Sequence, residues 1–150
     1  YAVYSDVAAS VGHRWWAAKG CGSWTSRLGA GPRRNQVSAV DQVADASVSY
    51  SDVMEWTTRR PAFEDLLADA WRARAYGDFL SHVLVAQGSV ALSAAPELSL
   101  WDVAALVPIV EEAGGTVTGV DGGKSPASPS VLCSNGLLHQ EVLRRLGSGG

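Results

Sequence analysis

At 150 residues, with 47% hydrophobic and 18% charged side chains, the chain has the length and composition of one globular domain able to bury a core. A formal net charge of −3, with basic residues gathered only in pairs such as Arg33-Arg34, Arg59-Arg60 and Arg144-Arg145, gives a nucleic-acid role no electrostatic support. No apolar run approaches the ~18 residues of a membrane helix, and no charged-then-apolar leader opens the chain, so the expected setting is cytoplasmic, with neither membrane nor nucleic acid as partner.

The first residues, 1–4, are strand-like. A second strand is expected over residues 14–18, ended by the turn signal Lys19-Gly20-Cys21-Gly22, with a third resuming at Ser23-Trp24-Thr25. Residues 27–36 read as an exposed loop. Two strands about a glycine turn suggest the end of an antiparallel sheet. From residue 46 short strands and helices alternate: strand 46–50, helix 63–70 after Pro61, an extended piece 72–75, helix 77–87 ended by Gly88, strand 89–93, helix 100–113, strands 116–120 and 130–133, and helix 137–146 introduced by Ser134-Asn135. Such alternation indicates an α/β layer. The expected organisation is therefore a sheet-and-loop part over 1–45, an α/β part over 46–147 and a frayed tail at 148–150. Cys21 and Cys133 lack metal-site spacing and read as buried small hydrophobes in a reducing compartment, although their pairing stays open. Of the Trp residues, 15, 16, 24, 71 and 101 sit at element ends, where core anchoring is the simplest account. His13 is expected in a turn, His82 within a helix and His139 on the last helix. None has a catalytic partner at suitable spacing.

Residues 100–115 carry the most chemistry. Leu106, Ile109, Val110 and Ala113 follow the i, i+3, i+4, i+7 rule, so one helix face is buried. Asp102 lies in the first turn, where the helix dipole favours an anion. A carboxylate at that place can hold a metal ion or orient a polar substrate group; it can equally be a capping residue with no chemistry.

The run Trp101-Asp102-Val103-Ala104-Ala105, an apolar stretch, then Glu112-Ala113-Gly114-Gly115 resembles the C-terminal motif of the inositol monophosphatase family of Mg-dependent phosphatases. The resemblance covers nearly the whole chain and is sharpest from 71 to 115 and at Ser134-Asn-Gly-Leu-Leu-His139. It implies an α/β, layered sugar-phosphatase fold, present here as the C-terminal α/β layer plus a remnant of the antiparallel sheet. It also implies that Asp102 is a metal ligand near the substrate. Members carry a further metal-binding Glu and an Asp-Pro-x-Asp-Gly-Thr loop. No such loop occurs within these 150 residues, and Asp121-Gly122 reads only as a turn. The chain is accordingly expected to be a C-terminal fragment, catalytically silent by itself.

The segment Arg74-Ala-Tyr-Gly77-Asp78-Phe79 places a second carboxylate at a helix mouth, after a glycine that permits close backbone approach. In the family this segment shapes the substrate pocket, and an acid directly after the glycine resembles the histidinol-phosphatase branch. A carboxylate can pair with the amine or imidazole of histidinol phosphate, whereas inositol offers only neutral hydroxyls. Arg74, Gly77 and Asp78 are therefore substrate-binding candidates, together with Asp102. Many relatives place a substrate-contacting Glu seven positions before the Asp, where this chain has Ala95; Glu97 is the candidate replacement. The resemblance implies a Mg2+-dependent phosphomonoesterase of histidine biosynthesis acting on L-histidinol phosphate, a small-molecule partner, by in-line attack of a metal-activated water. It also allows a homodimer in the full-length form. The alternatives are a phosphatase of inositol monophosphate or another sugar phosphate, and an inactive remnant.

Overall fold

The computed structural model describes residues 4–9, 12–123 and 128–147. The tail at 148–150 and the first three residues of the strand expected at 1–4 lie outside them. Strands β1 (Tyr4–Ala9), β2 (His13–Ala18), β3 (Gly22–Arg27) and β4 (Arg33–Arg34) form an antiparallel sheet in sequence order. The β2–β3 ladder pairs Trp16 with Trp24 and closes at the turn the glycines foretold. His13 opens β2 instead of sitting in a turn. The loop expected at 27–36 is interrupted by β4, and Asn35 behind it is buried, its amide donating to Ser23 Oγ at 2.9 Å.

The second sheet has the order β6-β5-β7-β9-β8, from β5 (Ser47–Tyr50), β6 (Arg72–Arg74), β7 (Leu92–Ala95), β8 (Thr116–Thr118) and β9 (Val131–Ser134). β5, β6 and β7 are parallel; β9 runs antiparallel to both β7 and β8. Alternate side chains divide its two faces. Leu92, Ala94 and Leu132 pack with Trp56, Phe63, Leu66, Leu138, Val142 and Leu146, under helices α1 (Arg60–Asp69) and α5 (His139–Gly147). Ala95, Val131 and Cys133 face α2 (Asp78–Ala86) and α4 (Leu106–Glu111), against which Trp15 and Ala17 of the first sheet also pack. The layers are thus helix, mixed sheet, helix, antiparallel sheet. Among the described residues no helix is long and apolar enough to cross a membrane.

Several sequence expectations are corrected. The helix expected over 100–113 is two, α3 (Leu100–Ala104) and α4, joined at Ala105. Pro108 is the cause: it has no N–H for the Ala104 carbonyl, and its ring crowds that carbonyl. The strand expected at 89–93 lies three residues later as β7. A 3-10 helix, Val53–Arg59, precedes α1 and buries Trp56, whose ring stacks on Phe63 at 3.8 Å between centroids. Trp71 and Trp101 are not core anchors but 66% and 80% exposed. Cys133 is buried as expected, Cys21 is exposed, and both thiols are free.

Candidate functional site

Because β5, β6 and β7 are parallel, the segments leaving their carboxyl ends emerge along one edge of the sheet, where α/β proteins assemble ligand sites. Arg74 ends β6, and Gly77 and Asp78 follow it; Glu97 and Asp102 follow β7. The segments that carry the five sequence-predicted residues therefore all leave the sheet along this edge. They do so although β6 and β7 are separated by β5, which precedes both in the chain.

Gly77 caps α2 with φ 69° and ψ 172°, a conformation open essentially to glycine, and its N–H donates to the Tyr50 carbonyl at 3.1 Å. Asp78 also has a positive φ, 52°, in the left-handed region where Asp and Asn are the non-glycine residues most often found. Its Oδ1 accepts the Phe79 N–H at 2.7 Å, which fixes an otherwise exposed carboxylate at the start of α2.

Behind this turn α2 is tied to the sheet by hydroxyls. Register places Arg74, Ser49, Ser93 and Cys133 in one row across β6, β5, β7 and β9. Ser81 and His82 of α2 meet that row: Ser81 Oγ is 2.7 Å from Ser49 Oγ, and His82 Nδ1 is 2.8 Å from Ser93 Oγ. All four of these polar side chains are buried. Burial lowers the His82 pKa to about 4, against the opposing pull of the Asp78 charge, so the imidazole is neutral at physiological pH. Burial likewise pushes the Cys133 thiol up to about 12, although the Ser93 hydrogen bond acts in the opposite direction; such a thiol is no nucleophile. His139, held by Ser134 Oγ at 2.8 Å and Thr118 Oγ1 at 3.0 Å, is also shifted down by burial. Both imidazoles are thus tied into the fold by side-chain hydroxyls.

Asp102 stands exposed in the first turn of α3, and its side chain makes no hydrogen bond or ion pair among the described residues. With α3 only five residues long, the dipole argument made for a long helix shrinks to the free amides of a single turn. Arg74 is exposed and donates to the Ala73 carbonyl at 2.8 Å; it joins no ion pair among the described residues. Glu97 lines a separate cleft of about 270 Å3 with Thr57, Arg59, Asp121 and Ser130. Sequence reading passed over Arg59 and took Asp121 as a turn residue. Asp121 is indeed bound into its own turn by the Gly123 N–H at 2.9 Å, which holds its carboxyl below the usual range; the nearby Arg59 charge acts in the same direction. Thr57, at φ 32° and ψ −109°, strains the wall of this cleft.

No three His, Cys, Asp or Glu side chains converge on a metal-sized site among the described residues. Asp102 offers one carboxylate, and Mg2+ keeps its waters unless several oxygens meet around it. The described residues therefore do not constitute a metal site by themselves.

The model of the inositol monophosphatase family matches residues 2–148. The histidinol-phosphatase of Mycobacterium tuberculosis is 47% identical over 144 residues, 95% of this chain and 55% of its own length. That of Streptomyces coelicolor is 49% identical over 138 residues, 91% of this chain and 52% of its own. The chain thus spans about half the length of these curated relatives. Among solved structures, an inositol monophosphatase from Anabaena superposes with a TM-score of 0.76 at 27% identity, covering 92% of this chain and 57% of that one. One from Zymomonas mobilis shares the fold, with a TM-score of 0.78 at 19% identity over 90% of this chain and 53% of that one. Fold, motif and family match agree: the chain belongs to the inositol monophosphatase family.

Proposed function

We propose that this chain supplies the α/β half of a Mg2+-dependent phosphomonoesterase acting on L-histidinol phosphate in histidine biosynthesis. The observation that carries the substrate is Asp78: a carboxylate fixed at the mouth of α2, on the edge from which Asp102 also emerges. An anion there favours a substrate bearing an amine or imidazole over one bearing only hydroxyls. The identity to two histidinol-phosphatases supports the same choice. In this reading Asp102 gives the metal one carboxylate, Asp78 holds the cationic end of the substrate, and Arg74 and Gly77 shape the pocket beside it. Glu97, in its own cleft, flanks that pocket. The remaining metal ligands come from the part of the relatives that this chain does not span, so turnover requires a polypeptide of their full length.

The test is Asp78→Asn in that full-length context. Asparagine tolerates positive φ and can still accept the Phe79 N–H, so charge alone is removed. A lost charge-assisted hydrogen bond is worth about 1.5–3 kcal/mol, so KM for histidinol phosphate should rise about ten- to a hundredfold while that for inositol monophosphate hardly moves. An equal effect on both substrates would make Asp78 a turn residue and return the assignment to a general sugar-phosphate phosphatase.

A further inference from the structure

The helix-facing side of the first sheet changes character along its length. Toward one end it presents Trp15 and Ala17, both buried against the helices. At the other, where an apolar face would normally continue, register puts His13 opposite Arg27 and Thr25 opposite Arg33. Residues paired directly across strands share a face, as do alternate residues of one strand, so these four side chains belong to the same side as Trp15. With Leu84 and Gln87 at the far end of α2 they line a pocket of about 500 Å3, and no carboxylate lines it. None of the ion pairs among the described residues involves Arg27 or Arg33. Arg27 Nε donates to His13 Nε2, which orients the guanidinium and leaves its terminal nitrogens to other partners. His13 is itself set by its ring contact with Trp15, 5.3 Å between centroids.

We propose that this interlayer pocket binds a phosphate group, held between the guanidinium groups of Arg27 and Arg33 with the Gln87 amide as a further donor. Arginine forks match phosphate oxygens bidentately, and two of them facing an acid-free pocket form a dianion site. The pocket is distinct from the candidate active edge. Asp78 begins α2 and Gln87 caps its other end, so nine helical residues, on the order of 13 Å, separate them. Its size admits a small organic phosphate as well as the free ion. Arg27 and Arg33 are solvent-exposed at the pocket's rim; charge near a sheet edge also serves to discourage strand pairing, and the experiment separates that role from ligand binding.

The 15N-labelled chain is titrated with inorganic phosphate, and separately with glucose 6-phosphate, at an ionic strength held constant with chloride. Saturable shifts of the amides at 13, 25–31, 33 and 84–87 are expected, and Arg27→Gln or Arg33→Gln should each weaken them about tenfold or more. Tighter binding of the ester would identify an organic phosphate as the ligand, and equal binding the free ion; both support the site. Linear, unsaturating shifts, or shifts that survive both substitutions, would overturn it. So would variants that merely aggregate while the parent chain shows no phosphate response, which would assign the arginines to edge protection.

Discussion

Acid should destabilise this fold through His82 before any carboxylate titrates. In the unfolded chain the imidazole has its ordinary pKa of 6.5; folded, it is buried among Ser81, Val83 and Ser93 with a pKa of about 4. The depressed value means that the unfolded state takes up a proton first. Stability is therefore complete above pH 6.5 and declines as pH falls toward 4, where the loss levels off. Between pH 7 and pH 5 the linkage integral for these two values gives about 2 kcal/mol, and below pH 4 about 3 kcal/mol. The depressed carboxyls of Glu112 and Asp121 lose their contributions only below about pH 4.5, so the upper window reports on histidine. His139 contributes in the same direction, which makes the comparison with a variant necessary. His82→Gln keeps a hydrogen-bonding group for Ser93 but cannot titrate. Urea unfolding of both proteins at pH 7 and pH 5 should show the parent losing about 2 kcal/mol more than the variant. Parallel pH dependences would refute a neutral, desolvated His82.

In a full-length polypeptide, Asp102→Asn should reduce turnover to background with an unchanged melting temperature, because a hard cation loses a charged ligand while shape is kept; near-normal kcat at saturating Mg2+ would remove Asp102 from the metal site. Gly115→Ala should destabilise by about 1–3 kcal/mol in urea unfolding, since an added Cβ would sit 2.7 Å from both the Ser134 carbonyl oxygen and Val110 Cγ1. Glu112 accepts the N–H groups of Gly20 and Gly22 at 2.8 and 2.9 Å, tying the β2–β3 turn to the end of α4. Those bonds hold its carboxyl below the usual range, so their stabilisation is present above about pH 4.5 and fades as pH falls through the lower folded value. Glu112→Gln should speed hydrogen exchange at these two amides at neutral pH and remove that acid sensitivity.

Short-range sequence was enough for many of the chain's elements and for its family. Glycine turns fixed the β2–β3 hairpin, Pro61 marked the start of α1, and the Trp101–Gly115 run carried both the amphipathic face and the metal-ligand candidate. Each depends on residues a few positions apart, and backbone sterics and periodicity act at that range. Prediction failed where burial came from afar. β7 is buried on both faces, so alternation gave no guide to its register, and the exposed Trp71 and Trp101 are as apolar in sequence as the buried Trp15 and Trp56. Tertiary structure alone decided that β5 lies between β6 and β7, so that segments 24 residues apart in the chain, around Asp78 and Asp102, leave one edge of one sheet. It also decided that Ser49 and Ser93 meet Ser81 and His82, and that Arg27 and Arg33 lie on the same face of the first sheet as Trp15. Strand order and layer packing are set by the summed burial of many distant side chains, and no short stretch of sequence contains that sum.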